Sequence, residues 1–262
     1  MRVGLFQFDP SFGQRDRNVE HVLKGLVGAQ AELVVLPELF DTGYQFTSKE
    51  EAYELAEEIP EGTTSTGLAD LCRDRRMFIV AGMAERVGAK TFNSAALFGP
   101  DGHIGTYRKT HLFYEEKLWF EPGDTGFKVF DIGSAKLGLM VCFDWIFPES
   151  ARTLALMGAD IICHPSNLVL PYCPDAMVYR CLENRVFAIT CNRTGFEERG
   201  GKERLTFIGK SEIVSPKGEI LERASEVEDA LIIVDIDPLQ AREKQLNHYN
   251  DLLGDRRPEM YL

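Results

Sequence analysis

Short runs of β-branched and aromatic residues recur along the whole chain, separated by segments with a longer apolar period. The runs fall at Arg2–Phe8, Leu33–Leu36, Met77–Met83, Asn93–Phe98, Ile104–Arg108, Val129–Ile132, Lys136–Val141, Ile161–His164, Val186–Cys191, Ile208–Val214 and Leu231–Asp235, and each reads as a strand. Between them, Val19, Val22, Leu23, Leu26 and Val27 repeat at i, i+3, i+4 and i+7, which lays one apolar stripe along a helix. Residues Glu149–Met157 and Asp175–Glu183 read the same way. Other strands are joined directly, because Gly99-Pro100-Asp101-Gly102 and Ser215-Pro216-Lys217-Gly218 are turn sequences that fold one strand back on the next. A chain that mixes β-α-β stretches with hairpins builds helices onto a mixed sheet, so the expected class is α/β. No linker-like or repetitive stretch interrupts it, and residues 1–262 are expected to form a single domain.

Composition removes several classes of function. The chain has 262 residues, 44% hydrophobic and 27% charged, which is ordinary for a globular protein. Met1–Phe8 lacks a basic segment followed by an apolar run, and no stretch approaches the roughly 18 apolar residues of a membrane span. A cytoplasmic protein without membrane attachment is expected. The net charge of -12 is spread along the chain and would repel a phosphate backbone, so nucleic acid is not an expected partner. Cys72, Cys142, Cys163, Cys173, Cys181 and Cys191 form no C-x-x-C pair and sit mostly in apolar runs, which indicates free thiols and no structural zinc. A glycine-rich phosphate loop after an early strand is also missing, against a nucleotide-binding module.

Three ionisable residues stand at the ends of strand-like runs, where α/β sheets open onto a crevice. Cys142 ends Leu137–Val141 and precedes a turn and a helix-forming stretch, where backbone N–H groups and the helix dipole would favour a thiolate. Alone, it reads equally as a small buried hydrophobe. A thiol nucleophile needs a base and an oxyanion partner. Glu38 follows Leu33–Leu36 and Pro37 in an apolar setting suited to a general base, or is a loop carboxylate. Lys109 follows Ile104–Arg108 and offers a point charge for an oxyanion, or is an exposed loop lysine. Among the histidines only His111 and His164 lie near strand ends.

Taken together, Leu-Pro-Glu38-Leu-Phe, Tyr-Arg-Lys109-Thr-His-Leu-Phe and Val-Cys142-Phe-Asp resemble the three motifs of the nitrilase superfamily of carbon-nitrogen hydrolases, in order and spacing. The likeness runs end to end and is nearest to short, archaeal-type members, through Phe-Asp-Thr-Gly-Tyr44 and the run ending at Arg152. It implies a four-layer-forming α-β-β-α sandwich, dimerised so that two sandwiches stack into an α-β-β-α-α-β-β-α assembly. It also implies roles: Cys142 as nucleophile, Glu38 as general base, and Lys109 with the Phe143 N–H as oxyanion partners. Glu116 would be the second glutamate, with the adjacent Glu115 as the alternative. Neither a metal nor an organic cofactor is implied.

Tyr44, Phe113, Phe143, Trp145 and Asn167 are candidates to line the substrate pocket, and Tyr172 and His164 lie nearby. Glu149 and Arg152 are expected to hold the helix after Cys142. A carboxylate-bearing substrate would need another cation, for which Arg193 and Lys117 are candidates. Residues 180–185 and the tail at 256–261 are candidates for the homodimer interface. The expected activity is hydrolysis of a small amide to acid and ammonia. Nitrile hydrolysis, N-carbamoyl amine hydrolysis and acyl transfer to an amine use the same residues and remain alternatives, whereas a non-enzymatic binding protein would not be expected to retain all four.

Overall fold

The computed structural model describes residues 1–261. Along the chain lie β1 (Arg2–Gln7), α1 (Arg15–Leu26), β2 (Leu33–Val35), α2 (Lys49–Leu55), α3 (Thr63–Arg75), β3 (Phe78–Val87), β4 (Lys90–Gly99), β5 (Gly102–Arg108) and α4 (Glu116–Trp119). There follow β6 (Val129–Asp131), β7 (Lys136–Leu139), α5 (Pro148–Leu156), β8 (Ile161–Pro165), α6 (Cys173–Asn184) and β9 (Phe187–Cys191). The last strands are β10 (Phe196–Glu197), β11 (Leu205–Thr206), β12 (Glu212–Val214), β13 (Ile220–Arg223) and β14 (Ala230–Asp235).

Two six-stranded sheets result, in the orders β14-β1-β2-β3-β4-β5 and β13-β12-β9-β8-β7-β6, while β10 and β11 pair separately. In the first, β1–β2 and β2–β3 run parallel and the other pairs antiparallel. In the second, β7–β8 and β8–β9 run parallel and the rest antiparallel. Both sheets therefore share one pattern of strand directions, with β7 and β8 in the places of β1 and β2, although β14 joins from the end of the chain where β6 directly precedes β7. The loops after β2 and β8 are thus equivalent, and they meet: the Glu38 N–H donates to the Ser166 carbonyl at 3.4 Å.

Alternation along the strands decides which layer each side chain enters. Leu33 and Val35 face the second sheet, joining Val3, Leu5, Leu97, Leu137, Leu139 and Ile161 in one core, while Val34 and Leu36 pack with Val22, Leu26 and Leu68 on α1 and α3. On the far side, Leu154 of α5 and Met177 and Cys181 of α6 cover the second sheet. The layers are helix, sheet, sheet, helix, as the resemblance implies. Each fully buried Leu or Val contributes about 1.5–3 kcal/mol. Among the described residues no helix is long and apolar enough to cross a membrane.

The sequence expectations differ from the structure in places with local causes. β3 and β4 extend to Val87 and Lys90 because a hairpin pairs those two residues. The run expected as a strand over Ile208–Val214 is strand only from Glu212, because Gly209 and Lys210 take φ of +56° and +55° and break the ladder. Helix α2 starts at a capping signal the apolar pattern does not display: Ser48 Oγ accepts from the Glu51 N–H, and Glu51 reaches back to the Thr47 N–H at 2.7 Å.

Candidate active site

Cys142 leaves β7 through a tight turn, Cys142–Ile146, that precedes Pro148 at the start of α5. Its φ of +39° is costly for a residue with a Cβ, so the surroundings must impose it. Asp144 does much of this. Fully buried, its Oδ2 accepts from the Val141 N–H at 2.9 Å and from the Tyr107 hydroxyl at 2.8 Å, and its Oδ1 takes the His111 N–H at 3.1 Å and the His111 Nδ1 at 2.7 Å. His164 holds the turn from beneath. Burial pushes its ring down to about 4, so it is neutral; Nε2 donates to the Cys142 carbonyl at 2.9 Å and Nδ1 accepts from the Thr190 hydroxyl. His111 and His164 therefore secure the turn from outside the carboxylate cluster.

The expected thiolate is not found in the resting geometry. Burial raises the Cys142 thiol well above its ordinary value, the nearby Glu38 carboxylate raises it further, and Lys109 only partly offsets them. The sulfur is held as a neutral thiol.

Glu38 is placed by a close approach of backbones. A Cβ at Gly82 would lie 2.4 Å from the Glu38 Cα and 2.7 Å from the Pro37 carbonyl oxygen, so only glycine lets the loop after β2 settle against β3. The carboxylate is fully buried. Its Oε1 accepts from Lys109 Nζ at 2.6 Å and from Asn93 Nδ2 at 2.7 Å, whereas its Oε2 has no partner. Such a free lone pair on a buried carboxylate is available to a proton.

Lys109 is buried between two acids, 2.6 Å from Glu38 and 2.8 Å from Glu116. Burial works against its charge, but Glu116 and Glu38 outweigh it and raise Lys109 well above the ordinary lysine value. It stays an ammonium. Glu116 Oε1 also accepts from the Tyr44 hydroxyl at 2.7 Å, and Oε2 from the Phe113 N–H at 3.2 Å. Burial raises Glu116 to about 7 against the pull of Lys109. Glu115, the alternative, turns away to pair with Lys202 at 2.7 Å.

Phe113, Phe143, Trp145 and Asn167 join Leu168, Val169 and Leu170 around a narrow cleft at Cys142 with a volume of about 20 Å³, room for about one water. Both polar atoms of the buried Asn167 amide lack partners. Tyr44 is not among those walls; it serves Glu116. Arg193, a candidate for binding a substrate carboxylate, is instead buried and paired with Asp9 and Glu197. Lys117 lines a separate, larger cavity of 480 Å³ with His111 and Phe147. Arg152 donates to the Glu183 carbonyl at 2.7 Å and so ties α5 to α6. Asn93, Tyr107 and Asp144 were not singled out in the sequence. Asp144 lies within the Val-Cys142-Phe-Asp motif, but a buried carboxylate that ties a turn has no local pattern that distinguishes it from a surface one. Among the described residues no group of three or more His, Cys, Asp or Glu side chains is arranged to hold a metal.

On two stacked mixed sheets, a buried cysteine thus lies near a buried acid-lysine-acid cluster. The family model for carbon-nitrogen hydrolases matches residues 2–245, and the chain belongs to that family, within the nitrilase superfamily. It is 53% identical over 264 residues to a nitrilase of Pyrococcus abyssi, covering 100% of this chain and 99% of that protein. It is 33% identical to an N-carbamoylputrescine amidase of Solanum lycopersicum, covering 88% of this chain and 83% of the relative. The crystal structure of an amidase from Nesterenkonia sp. superposes with a TM-score of 0.81 at 28% identity, over 99% of this chain and 94% of the amidase. A structure of a mutant of that amidase carries the acetamide moiety of fluoroacetamide on its active-site cysteine.

Proposed function

We propose that this carbon-nitrogen hydrolase cleaves a small amide through a thioester on Cys142. The observation that carries the reading is the division of labour on Glu38: Lys109 and Asn93 hold Oε1, and Oε2 is left free beside a neutral thiol. In the first step Glu38 Oε2 takes the Cys142 proton as sulfur attacks the carbonyl carbon. The oxyanion that forms is met by the Lys109 ammonium and the Phe143 N–H. Collapse of that intermediate breaks the C–N bond, and the proton on Glu38 leaves with ammonia. Glu38 then deprotonates a water that attacks the thioester, releasing the acid and returning the proton to sulfur. Glu116 anchors Lys109 throughout.

The nitrile reading rests on the 53% identical relative, which bears the name nitrilase. It uses the same residues, with sulfur adding to the nitrile carbon. Ammonia release from a panel of small amides, ω-monoamides, carbamoyl amines and nitriles separates these readings. Amide turnover that vanishes in Cys142→Ala supports the proposal; turnover of nitriles alone replaces it with the second reading.

We also read the chain as one cytoplasmic domain that forms a homodimer. Leu156 and Met157 at the end of α5 and Tyr179 and Leu182 on α6 are 45–64% exposed on the outer helical layer, an apolar face suited to a second copy. Light scattering on the purified protein tests that state, and a monomer at micromolar concentration removes it.

A further inference from the structure

We infer that Arg193 and Glu197 form a positioning unit that acts on the reaction through Tyr44. This rests on the reading of Glu116 as the anchor of Lys109.

Arg193 is the bulkiest fully buried side chain in the molecule, only 1% exposed, and it follows β9, far along the chain from the cluster it serves. Its guanidinium pairs with Glu197 through Nη1, and its Nη2 meets Asp9 at 2.5 Å and the Pro10 carbonyl at 3.0 Å. Both carboxylate oxygens of Glu197 then turn toward the loop after Glu38. They accept from the Tyr44 N–H at 3.1 Å each, and Oε2 also accepts from the Gln45 N–H at 2.5 Å. Gly43 makes the approach feasible. Its φ is +84°, and a Cβ there would stand 2.9 Å from Glu197 Oε1.

A second contact reaches the same residue from its ring. Arg193 lies 4.1 Å over the face of Phe207, and Phe207 meets the Tyr44 ring edge-on at 6.0 Å. The Tyr44 backbone and ring are thus both held by the Arg193 unit. The free end of that side chain, the hydroxyl, donates to Glu116 Oε1 at 2.7 Å, and Glu116 holds Lys109. A buried ion pair is weak grounds for stability, because desolvation offsets much of its attraction. Its placement on Tyr44 gives it a use in the reaction: a small displacement of a catalytic group is enough to cost rate.

The test is a double-mutant cycle with Tyr44→Phe and Glu197→Gln, measured as kcat for the best amide. If Glu197 acts through Tyr44, each single change lowers kcat by roughly tenfold or more. The double variant then falls within about twofold of Tyr44→Phe, because coupled residues do not add. Losses that multiply would assign Glu197 a general structural role and overturn the inference. Where Glu197→Gln does not fold, Arg193→Met with Glu197→Gln removes both buried charges and enters the cycle in its place. The cycle is also run on the alkylation rate of Cys142 by iodoacetamide, followed on the Cys142 peptide. That arm needs no amide turnover, so an enzyme inactive on amides refutes the amide reading alone, and multiplying losses in alkylation refute the positioning unit alone.

Discussion

Lys109 Nζ sits 2.6 Å from Glu38 Oε1, and the other oxygen of that carboxylate is buried and unpartnered. In the proposed mechanism one cation both fixes the base and meets the oxyanion. The two duties cannot be separated by a point change, and this shapes the first prediction.

Lys109→Met is expected to abolish turnover, since a lost oxyanion donor costs on the order of 2.7–4 kcal/mol of barrier. It also strands Glu38 and Glu116 together in the interior, a loss of about 3–5 kcal/mol in stability. Denaturant unfolding of Lys109→Met beside Lys109→Met/Glu116→Gln checks the account. The double variant should regain stability and stay inactive; equal stability of the two would contradict the geometry.

Three buried carboxyls, Asp41, Glu116 and Glu212, are each raised by burial to about 7. In the folded state they hold protons that the unfolded chain releases near its ordinary carboxyl values. Their contribution to stability is therefore complete at low pH and is lost as pH rises to about 7. His164, lowered to about 4, and His103, also lowered by burial, act in the opposite direction below their ordinary value but are two groups against three. Calorimetry should show Tm falling between pH 5.5 and 7.5, and falling less in Asp41→Asn. A Tm that climbs across this interval would overturn the assignment.

Because burial and Glu38 hold Cys142 as a thiol, the resting enzyme should lack thiolate absorbance at 240 nm at pH 7. The difference spectrum against Cys142→Ser reads this directly. Alkylation by iodoacetamide should slow in Glu38→Gln, and an undiminished rate would show that the sulfur ionises without that base.

Asn167→Leu replaces an orphaned buried amide by an apolar group of similar size, which should leave stability unchanged within about 1 kcal/mol or improve it. The same change should lower kcat/KM for amides by roughly tenfold, since Asn167 lines the cleft at Cys142. Paired melting curves and kinetics decide it: unchanged kinetics would remove Asn167 from the pocket.

The parts legible in the sequence are those written into short segments. Cys142, Glu38 and Lys109 each close an apolar run, so a strand end and a reactive group could be read together. The α/β class followed from the alternation of runs and helical stripes, whereas the α-β-β-α layering came only with the family resemblance; the Gly99–Gly102 turn joins β4 to β5 as read. What could not be read depends on pairing between distant strands. Asn93 reaches Glu38 only because β4 lies beside β3, with Asn93 opposite Ala84. The Tyr44 hydroxyl could not be assigned to Glu116, nor Arg193 to Glu197 and Asp9, because the loops that carry Tyr44, Arg193 and Asp9 are placed only by the tertiary fold. The shared strand directions of the two sheets leave no repeat in the sequence, since they constrain burial rather than residue identity.

The proposed reaction passes through a covalent bond to one sulfur, which peptide mass spectrometry detects on enzyme quenched during turnover of a small amide. A mass increment equal to the acyl group is expected on the Cys142 peptide and absent from Cys142→Ala, which also releases no ammonia. Ammonia release that survives in Cys142→Ala would contradict it.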